Sequence, residues 1–385
     1  MTNRTNIKEL KVALVTESLT QFGGAEVVLK KLLEIFPNAT LFTPLYDEKL
    51  IKKHLPDVKI ESSFLQNKFM IHKYHRLFLS QLPNAFESFD LSSYDLVISN
   101  TSSFSKGINV PKNIPFIAYV HSPTRYLWSD FNSYIDENIP NILKPFKLLI
   151  IKQLLRLRNW DLEASKKADL MLANSQNIVN RIKKYYHRES YILYPFADTT
   201  IFNINDKIEK EDFYFMSGRL VPYKKINIAI QAFNSMPNKK LLIAGSGNQF
   251  RNLRKMIKSK NIQLLGRVGL DELVKYYQKA KGYIFTPLED FGITPIEALA
   301  CGTPVIAFGK GGALETVTEN VSGIFFNKQT ATSLTKAIQK FESIKFNQKI
   351  IRSTVINRFS PTNFENTMLK YVERVFKLKK GDKYV

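Results

Sequence analysis

Two glutamates frame the chemically richest stretch of the chain, Glu289-Asp290-Phe291-Gly292-Ile293-Thr294-Pro295-Ile296-Glu297, which runs on into Ala298-Leu299-Ala300-Cys301-Gly302-Thr303. A loop that becomes a helix near Thr294-Pro295 suits this string, because proline is well tolerated in a first helical turn. Backbone N–H groups at such a start can hold a diphosphate, aided by the helix dipole, and Gly292 lets the backbone approach a ligand closely. Glu297, on the helix, can accept both hydroxyls of a ribose, as acidic residues do in dinucleotide folds. Glu289, in the loop, can reach hydroxyls of a sugar. Taken singly, Glu297 could be a helix cap and Glu289 a solvated side chain; the whole string carries the reading.

Three further segments hold candidate residues. Ser217-Gly218-Arg219-Leu220-Val221-Pro222-Tyr223-Lys224-Lys225 follows a strand-like run, and Arg219 with Lys224 offers a planar fork and a point charge to two phosphates. Such a pair could neutralise a departing diphosphate without a metal. Gln21-Phe22-Gly23-Gly24-Ala25-Glu26 supplies glycines for a tight turn or for contact with a phosphate or sugar. Tyr119-Val120-His121-Ser122-Pro123 puts His121 at the end of another strand-like run, where its ring can hydrogen-bond a sugar hydroxyl or phosphate, although a lone histidine is more often structural. Gly245-Ser246-Gly247 approaches a dinucleotide fingerprint, but Phe250 stands where the third glycine belongs, so a turn is expected and not an NAD site. Phe308-Gly309-Lys310-Gly311-Gly312-Ala313-Leu314-Glu315 reads as a loop shaped by its glycines. Asp-x-Asp, GxxxxGK[ST], GxSxG and HExxH patterns do not occur, so no metal is expected.

These residues need strands that end where the chemistry is. Short apolar runs alternating with helix-like stretches argue for parallel sheets with crossover helices. The candidate strands are Lys11–Thr16, Thr40–Thr43, Asp95–Ser99, Phe116–Val120, Leu170–Asn174 and Tyr191–Tyr194, then Phe213–Ser217, Lys240–Ala244, Ile262–Leu265, Gly282–Thr286, Pro304–Ala307 and Gly323–Phe326. The boundary falls near Pro195–Asp206, giving domains over 1–200 and 201–360. A last helix, about Thr362–Lys380 within 361–385, starts at Ser360-Pro361.

The chain of 385 residues carries 56 Lys and Arg against 34 Asp and Glu, a formal charge of +22 spread over both halves. Anionic partners are expected from that balance, while no helix-turn-helix, zinc or RNP signature supports nucleic acid. One cysteine, Cys301, excludes an intrachain disulfide and fits a reducing compartment. No run of about 18 apolar residues occurs, so neither a signal peptide nor a spanning helix is expected, and the expected location is cytoplasmic. Ile142–Leu157, with Lys144, Lys147, Lys152, Arg156 and then Arg158, has the makings of a basic amphipathic helix. Phe64–Phe86, with Phe69, Tyr74, Leu77 and Phe78 among Lys68, Lys73 and Arg76, is similar. Either could touch an anionic bilayer or simply pack one face on a sheet, the alternative that composition favours. His54, His72, His75 and His187 sit in basic or helical surroundings and read as surface residues.

Taken in order, these motifs resemble the family 4 retaining glycosyltransferases of the GT-B fold. That resemblance spans nearly the whole chain and is most specific over Glu289–Glu297, with Gly218-Arg219, Lys224 and Gly311-Gly312 through Glu315 in support. Within the family the chain is similar to the WbaZ-like O-antigen mannosyltransferases, in Phe22–Glu26, Tyr119–Pro123, Arg219–Lys224 and Gly309–Glu315. The resemblance implies an α/β architecture of two Rossmann-like domains facing across a cleft, with the last helix packing back on the first domain. It implies that Arg219 and Lys224 bind the diphosphate, Glu297 the ribose, and Glu289 with Phe291-Gly292-Ile293-Thr294 the sugar and phosphates. His121 would lie beside the donor sugar, with Gly23 and Gly24 at the phosphates, and Gly266-Arg267-Val268 would join the donor site. Asp161 and Asn174 match recurring positions of unassigned role. Lys225 departs from a common glycine, leaving open which lysine binds phosphate, and Thr16-Glu17-Ser18-Leu19 departs from a commoner His-Asp-Trp pattern. The implied reaction moves a hexose, mannose from GDP-mannose, to a lipid-linked glycan acceptor, with UDP-glucose or UDP-GlcNAc as the alternative donor; no cofactor is implied. Two readings outside catalysis also remain: a basic anion- or nucleic-acid-binding protein, and an inactive family member serving as a scaffold.

Overall fold

The computed structural model describes residues 7, 9–67, 75–138 and 146–380. The residues divide into two compact units, Met1–Leu193 with Glu365–Val385, and Tyr194–Phe364.

The first unit is built on a seven-stranded sheet: β1 (Val12–Thr16), β2 (Thr40–Thr43), β3 (Ile60–Ser62), β4 (Leu96–Thr101), β5 (Phe116–Val120), β6 (Leu170–Ala173) and β7 (Tyr191–Ile192). Their order is β3-β2-β1-β4-β5-β6-β7, and every pairing is parallel. Strands β1, β2, β4, β5 and β6 are buried along their whole length, as expected where helices cover both faces of a parallel sheet. The sequence reading had no counterpart of β3. That strand has three residues and two of them are exposed, so it lacks the apolar run by which the others are recognised. The last strand stops at Ile192 and not at Tyr194, the point where the second unit begins.

The second unit carries six parallel strands: β8 (Glu211–Ser217), β9 (Lys240–Ala244), β10 (Ile262–Gly266), β11 (Ala280–Phe285), β12 (Val305–Phe308) and β13 (Gly323–Phe326). Their order is β10-β9-β8-β11-β12-β13. Two apolar clusters cover this sheet. One gathers Phe213, Phe215, Tyr277 and Phe291, the other Tyr214, Ile243, Phe233 and Ile338.

The final helix, Pro361–Lys379, begins as its sequence suggests. Ser360 Oγ accepts from the Asn363 N–H at 3.2 Å, and Pro361 fills the first helical position, where its missing N–H costs nothing. From Glu365 onward it clusters with the first unit: Glu365 pairs with Lys31 at 3.1 Å, Tyr371 donates to the Ile192 carbonyl at 3.0 Å, and Lys379 pairs with Asp169 at 2.8 Å.

The basic helix foreseen over Ile142–Leu157 is a helix over Lys147–Ser165. Lys144 lies outside the described residues, as do Lys68, Phe69, His72, Lys73 and Tyr74 of the other basic segment. Among the described residues no helix is long and apolar enough to cross a membrane.

Candidate active site

In both units the strand order reverses direction at one point, between β1 and β4 and between β8 and β11. The carboxyl ends of strands at such a switch diverge and leave a crevice, the usual ligand position in open α/β sheets.

In the second unit, Ser217–Lys225 leaves β8 and Thr286–Phe291 leaves β11, one on each side of the switch. Lys224 and Glu289 form an ion pair, both largely shielded from solvent. Burial alone would lower the Lys224 ammonium pKa, but the Glu289 carboxylate holds it above the usual value. Thr286 Oγ1 donates to the Lys224 carbonyl at 2.7 Å, tying the two loops at the backbone as well.

Glu297 lies on the helix Ile293–Ala300 and accepts from the Tyr277 hydroxyl at 2.8 Å. Tyr277 also meets Ser217 Oγ at 2.6 Å, and Ser217 meets the Tyr283 hydroxyl at 3.2 Å. Desolvation pushes the Glu297 carboxyl up to about 7, against the opposing pull of Tyr277 and the Lys224 charge. Lys224 therefore acts electrostatically on both glutamates. The helix opens at Gly292, whose φ of 88° is a backbone conformation that favours glycine.

The flanking glycines shape these loops. A Cβ on Gly312 would lie 2.2 Å from Phe291 Cα, and Gly312 N–H donates to the Glu289 carbonyl at 3.0 Å. A Cβ on Gly245 would lie 1.8 Å from the Gly218 carbonyl oxygen. Gly245-Ser246-Gly247 runs irregularly after β9, and the Ser246 carbonyl accepts from the Leu220 N–H at 2.9 Å, bracing the Arg219 loop.

The remaining candidates of this unit are placed differently. Arg219 is exposed and donates to the Tyr223 hydroxyl at 2.9 Å. Lys225 is exposed with φ 53°, so the residue after Lys224 occupies a left-handed position, a physical reason for glycine at this point. Phe291 is buried, packed between Tyr194 and Phe359, and anchors its loop. Ile293 and Thr294 keep partial exposure at the helix start. Gly266-Arg267-Val268 leaves β10, two strands from the switch: Gly266 accepts from the Gly245 N–H at 2.7 Å, Arg267 is exposed, and Val268 packs on the apolar cluster.

In the first unit, His121 follows β5. Its Nε2 lies 2.7 Å from Asn100 Oδ1, while Asn100 Nδ2 donates to the Ala25 carbonyl at 3.1 Å. The bond to Ala25 orients the amide so that its oxygen faces the imidazole. The proton then sits on Nε2, leaving Nδ1 as the ring's acceptor. Burial lowers the His121 pKa to about 4, so the ring is neutral near pH 7. Asn100 therefore joins His121 to the glycine loop, where Gly23 N–H bonds Glu26 at 2.7 Å and the helix Gly24–Ile35 begins.

The role of Glu17, noted in the sequence only as part of a departing loop, was not foreseen. Glu17, directly after β1, accepts with Oε1 from the backbone N–H groups of Ser102, Ser103 and Ser105 and from the Thr101 and Ser105 hydroxyls. It thereby folds the loop after β4 around one carboxylate oxygen. Its only sequence signal is a lone acid at the end of a buried strand.

Asp161 and Asn174 acquire structural partners. Asn174 Nδ2 donates to the His121 carbonyl at 3.0 Å. Asp161, fully buried, accepts from Lys106 Nζ at 2.5 Å, Thr124 Oγ1 at 2.8 Å, Trp128 Nε1 at 2.7 Å and Tyr186 Oη at 2.8 Å. Removing one member of such a pair leaves the other charge buried and uncompensated. Asp161→Ala should lower the stability of the first unit by about 3–5 kcal/mol, measured as an earlier unfolding transition in a denaturant titration followed by intrinsic fluorescence. An unchanged transition would show that water reaches Lys106.

Comparisons with known proteins agree with this architecture. Residues 22–201 match the family model "Glycosyltransferase Family 4", and residues 197–354 match "Glycosyl transferases group 1". The chain is similar to the alpha-1,3/1,6-mannosyltransferase of Homo sapiens, 25% identical over 54% of this chain and 59% of that one. It is also similar to a GDP-mannose-dependent monoacylated alpha-(1-6)-phosphatidylinositol monomannoside mannosyltransferase of Corynebacterium glutamicum, 35% identical over 26% of this chain and 30% of that one. The alignments span a little under three-fifths of the length of the first curated relatives. Among solved structures, Anabaena HepE in complex with UDP superposes with a TM-score of 0.68 at 17% identity, covering 95% of this chain and 100% of that one. Two parallel-sheet, Rossmann-like units of this kind make up the GT-B fold. The two family matches, each over less than half of the chain, make it similar to the family 4 glycosyltransferases.

Proposed function

We infer that the protein is a retaining, metal-independent hexosyltransferase that moves mannose from GDP-mannose to a lipid-linked glycan acceptor in surface polysaccharide synthesis, as the WbaZ-like mannosyltransferases do. One observation supports it most: Lys224 is electrostatically linked to Glu289 and Glu297, more than sixty residues further along the chain, at the carboxyl-end switch of the second unit's sheet. The mannosyltransferase relatives support the choice of sugar.

In this reading Lys224 and Arg219 neutralise the diphosphate, helped by the N–H groups at the start of Ile293–Ala300. As the bond from the sugar to phosphate lengthens, negative charge gathers on the diphosphate and positive charge on the anomeric carbon. Cations fixed in advance stabilise that separation without reorganising. Glu297 accepts the ribose hydroxyls and Glu289 those of the sugar. The acceptor hydroxyl forms its new bond on the face the diphosphate leaves and passes its proton to the departing phosphate oxygen. His121, neutral and with Nδ1 as acceptor, can accept a hydrogen bond from a sugar hydroxyl. Lys225, Gly266, Arg267 and Val268 border the donor in a lesser role.

A UDP-sugar donor is the second reading, favoured by the UDP bound to the structurally similar HepE. A thermal-shift panel of GDP-mannose, UDP-glucose, UDP-GlcNAc and ADP-glucose separates the two, since a ligand that binds only the folded state raises apparent stability with its affinity. The largest shift should come from GDP-mannose and should survive chelator. A product whose new linkage is inverted relative to the donor would refute the retaining mechanism, and no shift with any nucleotide sugar would refute the donor site.

A further inference from the structure

The helix Lys147–Ser165 has two unlike faces. Leu154, Leu157, Asp161, Ala164 and Ser165 are buried. On the opposite side Leu148, Lys152, Leu155 and Arg156 follow one another at helical spacing of i, i+4, i+7 and i+8. The apolar members of that side are not covered: Leu148 is 82% exposed and Leu155 41%, with Leu149 at 64% and Phe146, just before the helix, at 57%. Leucines this open, side by side, are unusual on a surface where apolar residues normally appear singly.

Cations outnumber acids around them. From Asn138 to Trp160 the sequence contains no acidic residue, while Lys147, Lys152, Arg156 and Arg158 fall within it. Arg158 turns inward, its guanidinium 4.3 Å from the Phe131 ring centre and bonded to the Leu127 carbonyl. Lys147 sits 3.6 Å from Asp136, with both side chains exposed. Among the described residues Lys152 and Arg156 have no acidic partner. The positive end of a 19-residue helix lies at the same tip.

We propose that this helix face docks the protein on an anionic lipid bilayer, with Phe146, Leu148 and Leu149 entering the headgroup–acyl boundary and Lys147, Lys152 and Arg156 holding lipid phosphates. The combination of protruding leucines with Lys152 and Arg156, which have no acidic partner among the described residues, selects the partner. A second copy of the chain meeting this face would bring like charges together. Nucleic acid would engage the cations but would leave the leucines in water. A bilayer with acidic headgroups accepts both at once, the apolar and electrostatic contributions being the two that bind amphipathic surface helices. The inference stands apart from the transferase reading, because it requires no nucleotide and no acceptor.

Co-sedimentation of the full chain with vesicles tests it. Wild type should pellet with phosphatidylcholine–phosphatidylglycerol vesicles at low salt, stay in solution with phosphatidylcholine alone, and be released as salt rises. Lys152→Glu/Arg156→Glu should weaken the partitioning at least about tenfold, since each basic residue near an acidic surface contributes severalfold. Leu148→Ser/Leu149→Ser should do likewise through lost apolar burial. Both variants should unfold at the wild-type denaturant midpoint, because the altered side chains are exposed. Equal binding to neutral vesicles, no binding by wild type, or variants that bind like wild type would overturn the proposal. So would a wild-type dimer in sedimentation velocity that the serine variant loses, which would make the face an interface between copies.

Discussion

Replacing Lys224 by alanine should cut sugar transfer by at least about a hundredfold, the loss typical when a fixed transition-state donor is removed. The effect should appear in kcat and in kcat/KM, because the charge on the diphosphate grows as the glycosidic bond breaks and the lost interaction is worth most at that point. The structure adds a second consequence. Lys224 is the shielded partner of Glu289 and lowers the Glu297 pKa through space, so alanine leaves one carboxylate without its counter-charge and makes the other harder to ionise. Lys225→Ala, at the exposed left-handed position next door, should cost far less. Steady-state kinetics on the two variants with the donor chosen by the thermal-shift panel makes the comparison. Equal losses in both, or near-native turnover in Lys224→Ala, would remove Lys224 from the diphosphate site.

The other large effect concerns Glu297, and its sign follows from its carboxyl, raised from 4.5 to about 7. A folded-state pKa above the unfolded value means that the native protein binds a proton the unfolded chain has already released. The penalty begins as pH rises past the unfolded value, grows up to about pH 7 and is complete above it. Glu297→Gln removes an ionisable group that the fold disfavours, so at pH 8 the variant should be more stable than wild type by about 1–2 kcal/mol after allowance for partial exposure. Transfer should nevertheless fall by at least about a hundredfold, because a neutral amide cannot accept two ribose hydroxyls through two carboxylate oxygens. In the wild type, donor affinity should weaken as pH drops below about 7, by up to about tenfold per unit. Thermal unfolding and donor titration at pH 5.5, 7 and 8.5 read all three effects. A variant that is both less stable at pH 8 and fully active would show that Glu297 is a structural cap.

The parallel architecture was legible because its signal is local. Strands such as Val12–Thr16, apolar up to its final threonine, and Phe116–Val120 are buried throughout, and a run of that length between turn residues declares itself without knowledge of its neighbours. The candidate chemistry of Glu289–Glu297 was legible for a related reason: proline, glycine and two acids within nine residues constrain one another along the chain. Strand β3 was not, since two of its three residues face solvent and its strand character comes from pairing with β2. The roles of Glu17, Asn100 and Lys106 were missed because each is an ordinary polar residue until the fold surrounds it. Glu17 has meaning only beside Ser102–Ser105 and Lys106 only beside Asp161, more than fifty residues away in either case.

By itself the sequence determined a basic α/β chain of two parallel-sheet units whose strand ends carry Arg219, Lys224, Glu289, Glu297 and His121, because apolar periodicity and turn residues are properties of short segments. Tertiary structure alone decided the state of those groups. It sets Lys224 against Glu289 and leaves Lys225 outside, withholds the charge from His121, and raises the Glu297 carboxyl. It also leaves Leu148 and Leu149 in water on a helix that could have buried them. Ionisation and exposure depend on the dielectric and the neighbours that folding assembles around a side chain, and neither is written in residue order.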